Sequence, residues 1–231
     1  MDAIKLKEEQ EKINDKIIKF YEERKENFDS GYILDGIADI EGYANSNPRI
    51  AWILKEAWDE PNGGEWDLSK AIINTLTKDN VSKTPSFKRV AYVARGIETD
   101  TNWDELPWIT EDASVVNALK KVAWLNISKI AGKSVSPNER ITSAFETWVD
   151  ILKEQLEKFD PQIIILGNTY QWVKDLLQIN REPEIKENSA WAYIRPDNKI
   201  IVWAFHPSKI MKDQEYIDDI LNVIKEAKKR I

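Results

Sequence analysis

Cysteine is absent from this sequence and histidine occurs once. Without thiols there is no disulfide, no thiolate zinc site, no iron–sulfur cluster and no cysteine nucleophile. A single histidine also removes the usual histidine-rich metal sites, which leaves a carboxylate-held Mg²⁺ as the metal chemistry still open. Long apolar runs are missing as well. The opening stretch MDAIKLKEEQEKINDKIIKF is charged throughout, so neither a signal peptide nor a membrane span is expected, and a cytoplasmic protein is. Basic charge is in deficit: 33 Lys and Arg against 40 Asp and Glu give a formal charge of −7. That balance argues against a broad, non-specific grip on nucleic acid, while a locally basic groove stays compatible with it.

What is present suits a folded α/β chain. Hydrophobic residues make up 42% of the 231 positions, enough for a sizeable core despite 32% charged residues. No linker, repeat or low-complexity tract divides the chain, so a single domain over 1–231 is expected. Ile4, Leu6, Ile13, Ile17, Ile18, Phe20 and Tyr21 are spaced as one face of a helix at about 3–29. Ten tryptophans are many for this length. Most should fill the core, with one or two free to line a pocket that holds a flat ring.

Four short apolar runs read as strands buried on both faces: Ile50–Leu54, Val122–Ile127, Ile163–Leu166 and Lys199–Phe205. Helical patterns at about Ser69–Thr77, Ser86–Ile97, Glu111–Lys120, Asn138–Phe159, Thr169–Leu177 and Asp213–Arg230 alternate with them, Thr110 being the expected N-cap of the third. The alternation predicts a parallel sheet with helices on both faces.

In open parallel sheets ligands bind beyond the carboxyl ends of the strands. The residues just past these strands are Lys55 to Asp59, then Asn126, Ser128 and Lys129, then Asn168, then His206, Pro207 and Ser208. A lone histidine is more often structural than catalytic, but at a strand exit a neutral imidazole can donate to developing negative charge. A side-chain amide such as that of Asn126 can pair with the edge of a nucleobase or simply satisfy a loop. Loop carboxylates such as Glu56 and Asp59 are usually solvated; as chemistry, either could orient a water or stabilise a cationic sugar. Gly132-Lys133-Ser134 looks like the end of a phosphate loop, but Ile127 stands where the earlier glycine is needed, so that reading fails.

These segments, in this order, resemble the uracil-DNA glycosylase superfamily. Its first motif, written GQDPYH, GINPG or GEAPG in different branches, is similar to Leu54-Lys55-Glu56-Ala57-Trp58-Asp59, nearest the GEAPG form through Glu56-Ala57. VAWLNISKIAGKS resembles the strand whose asparagine reads the uracil edge, and AFHPSKIM resembles the HPSPLS motif. Trp58 replaces the first-motif proline, Ala57 stands at the water-activating aspartate of the GQDPYH branch, and the four cysteines of the GEAPG branch have no counterpart.

The resemblance implies a three-layer α/β/α sandwich around a four-stranded parallel sheet of order 2-1-3-4, with no cofactor or metal. It implies hydrolysis of the N-glycosidic bond of uracil or a related damaged base in DNA, after the nucleotide flips out of the stack. Glu56 and His206 would be catalytic, and Asn126 would read the base, with Trp58, Asp59 and Trp66 beside it. Ser208 would position a phosphate, and Ile210 would enter the duplex as a wedge. Apart from the resemblance, Lys129 and Lys133 follow the second strand in a stretch that reads by default as a solvated loop and could instead meet a DNA phosphate. Two alternatives use the same fold: a module that binds a nucleobase or nucleic acid without cleaving it, and a glycosidase for free nucleosides or nucleotides.

Overall fold

The computed structural model describes every residue except Ser134, so the serine of the Gly132-Lys133-Ser134 stretch lies outside the described residues. The chain opens with α1 (Ala3–Glu22), capped by the Asp2 carboxylate, which accepts from the N–H groups of Ile4 and Lys5. The helix stops short of the expected residue 29 because Arg24 leaves helical geometry and a 3₁₀ turn at Lys25–Asn27 follows. Next come β1 (Ile33–Leu34), β2 (Gly36–Ile37), α2 (Ile40–Ala44) and β3 (Ile50–Leu54). Then follow β4 (Trp66–Asp67), α3 (Leu68–Thr75), α4 (Lys78–Lys83), α5 (Pro85–Thr99) and α6 (Ala113–Lys120). The N-cap of α6 is Asp112 rather than the expected Thr110, its carboxylate accepting from the Ser114 N–H at 2.7 Å. The second half runs through β5 (Val122–Asn126), α7 (Asn138–Phe159), β6 (Ile163–Gly167) and α8 (Tyr170–Val173). It ends with β7 (Ile185–Lys186), β8 (Ala190–Ile194), β9 (Ile200–Ala204) and α9 (Asp213–Lys228).

The main sheet has seven strands in the order β2-β5-β3-β6-β9-β8-β7. Strands β5, β3, β6 and β9 are parallel, and they stand in the order expected for the four apolar runs. The expected four-stranded sheet is thus the middle of a wider one. Antiparallel β2 joins one side, and antiparallel β8 and β7 join the other. Strands β8 and β9 form a hairpin, closed by the Arg195 N–H on the Lys199 carbonyl at 2.9 Å with Asn198 at φ 62°. The Pro196-Asp197-Asn198 turn carries that hairpin in the sequence.

Every residue of β3, β5 and β6 is buried, as strands covered on both faces require. Alternation divides the core in two. Ile50, Trp52, Leu54, Val122 and Trp124 pack with α5, α6 and α9, whereas Ala51, Ile53, Ala123 and Leu125 pack with α1 and α7. The result is a three-layer α/β/α arrangement. The edge strand β2 is blunted by Gln10 of α1, whose amide donates to the Ile37 carbonyl at 2.9 Å and accepts from the Ile37 N–H at 2.7 Å.

A buried ion pair joins the sheet edge to α7. Lys129 and Asp35 are both fully buried, and the Lys129 ammonium lies 2.8 Å from each Asp35 oxygen. It also donates to the Asn126 carbonyl and to Oε1 of Gln155, each at 2.8 Å. Burial pushes the lysine down from its usual range and the aspartate opposes that shift. Lys129 therefore cannot meet a DNA phosphate, as its sequence position suggested; its charge is spent inside the fold. Removing one member of such a pair strands the other. Asp35→Ala is expected to cost about 3–5 kcal/mol in urea unfolding. Adding Lys129→Met to that variant should recover part of the loss.

Candidate functional site

The loops after β3 and β5 continue the pairing of their strands. Beyond Leu54 and Asn126, the Ile127 and Ser128 N–H groups donate to the Leu54 and Lys55 carbonyls, each at 2.9 Å. The Gly132 N–H donates to the Ala57 carbonyl at 2.7 Å, and the Asp59 N–H donates back to the Gly132 carbonyl at 3.2 Å. A side chain at 132 would press on Glu56: an added Cβ would lie 2.4 Å from the Glu56 Cδ. Glycine is there because Glu56 needs the space.

The Glu56 side chain is only 2% exposed. Its Oε2 accepts from Arg140 Nε at 3.0 Å, and its Oε1 is buried without a partner among the described residues. Arg140, from the first turn of α7, also donates to Asp29 at 2.9 Å and to the Ala131 carbonyl at 3.0 Å. Nothing in the sequence ties residue 140 to residue 56, so this clasp was not legible there.

Asp59 holds its own loop. It accepts from the Glu60 N–H at 2.8 Å, the Gly64 N–H at 2.7 Å and the Trp66 indole N–H at 2.7 Å. These bonds keep its carboxyl below the usual carboxylate range, the Trp66 bond contributing most. The polar atoms of Asp59 and Trp66, both expected beside the base, thus bind each other. Trp58 is 57% exposed, and its backbone bridges to Gly132. Lys133 is exposed and lies 3.3 Å from Asp29.

Asn126 and His206 come to the same end of the sheet. Asn126 is buried, and its backbone N–H is held by Asp35 Oδ2 at 2.6 Å. It is the register partner of Leu54, two residues past the pair Trp52 and Trp124. On the far side of β3, Gly167 at the end of β6 lets its neighbours approach. A Cβ there would meet Leu54 at 2.5 Å, Trp52 Nε1 at 2.9 Å and Pro207 at 3.2 Å. The HPS segment after β9 thereby leans over β6 toward β3. Half-buried Phe87 and Phe205 pack on the same core face, Phe87 edge-on to Trp124 at 5.3 Å.

The tautomer of His206 follows from its contacts. The Ser208 N–H donates to Nδ1 at 3.1 Å, and the Ser208 hydroxyl lies 2.7 Å from the same atom. Nδ1 is therefore an acceptor, and the neutral ring carries its proton on Nε2. Burial, and then the charge of Lys55, push the imidazole down to about 4. At neutral pH the residue is an uncharged donor. Ser208, expected at a phosphate, is exposed and has its hydroxyl on His206, and Ile210 stands 98% exposed at the loop tip.

The loop itself hangs on Arg89, a buried residue of α5 that local sequence patterns did not single out. Its guanidinium donates to the carbonyls of Pro207 at 3.0 Å, Lys209 at 2.6 Å and Met211 at 2.5 Å. It pairs with Asp213 at 2.7 Å and lies over the Tyr216 ring. The clearest signal for it is a charged residue inside the apolar face of a helix.

Clefts lie to either side. One of about 290 Å³ beside Arg140 is lined by Phe28, Asp29, Ser128 and Trp148 among others. One of about 600 Å³ at the opposite end of the strands is lined by Pro48, Arg49, Asp160 and Lys199 among others. Neither includes Asn126 or His206.

The fold is that of an α/β protein with an open, largely parallel sheet, and polar residues stand at the carboxyl ends of its parallel strands. No protein-family model matches the chain, and no curated protein is significantly similar to it. Among the described residues, no helix is long and apolar enough to cross a membrane.

The depressed imidazole has a consequence for stability. Below the ordinary value of 6.5 the unfolded chain takes up a proton that the folded chain accepts only near 4. This contribution is fully present above about pH 6.5 and is lost as pH falls toward 4. Unfolding measured across that window should show a steeper fall for the wild type than for His206→Gln. Imidazole ¹⁵N spectra at pH 7 should report the Nε2–H tautomer.

Proposed function

We propose that this chain cleaves the N-glycosidic bond of uracil or a related damaged base in DNA, on the plan of the uracil-DNA glycosylase superfamily. The observation that carries the reading is the neutral His206, with Nδ1 occupied by Ser208 and Nε2–H left to donate at the end of the sheet that also carries Asn126. Departure of the base takes the C1′–N electron pair onto the base, so negative charge builds on its ring nitrogen and carbonyl oxygen. A neutral donor stabilises that charge without having bound the ground state as tightly. In this reading the Asn126 amide pairs with the base edge, and Phe87 or Phe205 supplies the aromatic wall. Glu56 faces the opposite partner: its free Oε1 accepts a proton from water as the water oxygen bonds to C1′. Exposed Ile210 is the wedge that fills the stack when the nucleotide flips out. No cofactor enters the scheme.

A second reading has its own support. The Glu56 side chain is nearly sealed and half neutralised by Arg140, which limits its access to water. The same site then holds a nucleobase without cleaving it.

Base release from single- and double-stranded oligonucleotides carrying uracil, hypoxanthine or xanthine separates the two. Under the first reading, His206→Ala and Asn126→Ala lower the rate about 10²–10³-fold while changing the melting temperature little. A wild-type protein that binds free uracil and releases nothing from any substrate sinks the first reading and supports the second.

A further inference from the structure

The run Trp103-Asp104-Glu105-Leu106-Pro107-Trp108, in the connection from α5 to α6, enters no part of the scheme above. Backbone bonds fix this connection at both ends. The Trp103 N–H donates to Asp218 Oδ1 of α9 at 2.9 Å, and the Ile109 N–H donates to the Tyr92 hydroxyl of α5 at 2.9 Å. Between them the Leu106 N–H closes a 3₁₀ turn on the Trp103 carbonyl at 3.1 Å.

Three aromatic rings meet there. Tyr92 lies deepest, 2% exposed, and Trp103 tilts over it with ring centres 4.6 Å apart and planes at 52°. Trp108 stands perpendicular to Trp103, at 5.9 Å and 89°, and is 60% exposed. With Asp104 and Leu106 these rings line a pocket of about 110 Å³. Pockets for whole drug-sized ligands run to about 300–1,000 Å³, so this one takes a single head group.

The local charge selects the sign of that group. Asp104 joins no ion pair among the described residues, and both its oxygens accept from the neutral Gln214 amide at 3.3 Å. Glu105 and Asp218 accept from the N–H groups of Asn102 and Trp103 and likewise join no ion pair among the described residues. The lysines that reach this connection end elsewhere on it: Lys225 on Asn102 Oδ1 at 2.6 Å, Lys78 on the Glu111 carbonyl at 3.4 Å and Lys228 beside Asp100 at 3.9 Å. Ring faces carry the negative part of the aromatic quadrupole, so rings at right angles beside a carboxylate attract a cation. A bare ammonium is strongly hydrated and resists such a site, whereas methyl groups spread the charge and shed water easily.

We propose that Tyr92, Trp103 and Trp108, with Asp104 at the rim, form an aromatic cage for a methylated ammonium head group. The cage does not rest on the glycosylase reading.

The indole ¹H–¹⁵N signals of Trp103 and Trp108, identified by their loss in Trp103→Phe and Trp108→Phe, report on the pocket. Wild type, Trp108→Ala and Asp104→Asn are titrated at pH 7.5 and low salt, and each variant's fold is checked by its melting curve. The probes are choline, its neutral isostere with carbon in place of the ammonium nitrogen, and capped lysine with and without three methyl groups on its side-chain nitrogen. Expected are saturable shifts with choline and the trimethylated lysine, and binding at least about tenfold weaker for the neutral isostere and the unmethylated lysine. Trp108→Ala should weaken binding about tenfold, read on the Trp103 signal, and Asp104→Asn about threefold. Tighter binding of the trimethylated lysine assigns the cage to a methylated protein segment, and tighter binding of choline assigns it to a free quaternary ammonium compound. Unmoved signals with both methylated cations, equal binding of the neutral isostere, or equal binding by Trp108→Ala and wild type overturns the proposal.

Discussion

The structure depends on a lysine and an aspartate taken wholly out of water. Lys129 and Asp35 lie far apart in sequence, and between them they touch the edge of the sheet, the exit of β5 and, through Gln155, the long helix α7. Two charges in an interior are tolerable only when every remaining donor and acceptor finds a partner, and here each does. Asp35 accepts from the Asn126 N–H, and Lys129 donates to the Asn126 carbonyl. Asn126 is thereby held by its backbone on both sides, and its side chain is spared that work. The ion pair is a structural element whose product is the orientation of one polar residue at the sheet end.

The other side of the site is built on the same logic with different parts. Arg89 gathers three carbonyls of the 207–211 segment, which makes no regular secondary structure of its own. The absence of a side chain at Gly167 lets Pro207 come down over β6. The two cradles place the donor of His206 and the amide of Asn126 across the parallel core. The second cradle touches its motif only through backbone atoms, whereas the first uses a side chain of the same stretch, Lys129, three residues past Asn126.

Most charges near the strand exits are engaged by partners within the fold. Glu56 is held by Arg140, Asp59 by its loop and Trp66, and Asp213 by Lys88 and Arg89. Asp219 is buried and accepts from the Ser189 N–H, and Lys55 joins no ion pair among the described residues but lies over the Trp172 ring.

The four parallel strands, the long helices and the order of the sheet exits were legible in the amino-acid sequence, because continuous apolar runs and helical periodicity are local and survive any tertiary context. So was the placing of His206, Asn126 and Glu56 at the carboxyl ends of the parallel strands, because each lies at or just past the end of one of the apolar runs. The strands β2 and β7, of two residues each, were not; β8 is an apolar run of five residues that the reading of the sequence did not single out, although the turn at Pro196 to Asn198 marks the β8–β9 hairpin. Nor could sequence distinguish Lys129, which is buried, from Lys133, which is exposed, as both follow the same strand in a polar stretch. Which lysine is sealed and whether Glu56 meets a cation depend on partners 26 to 120 residues away, whereas the tautomer of His206 is set by Ser208 two residues on. Only the packed chain brings those partners within hydrogen-bonding distance.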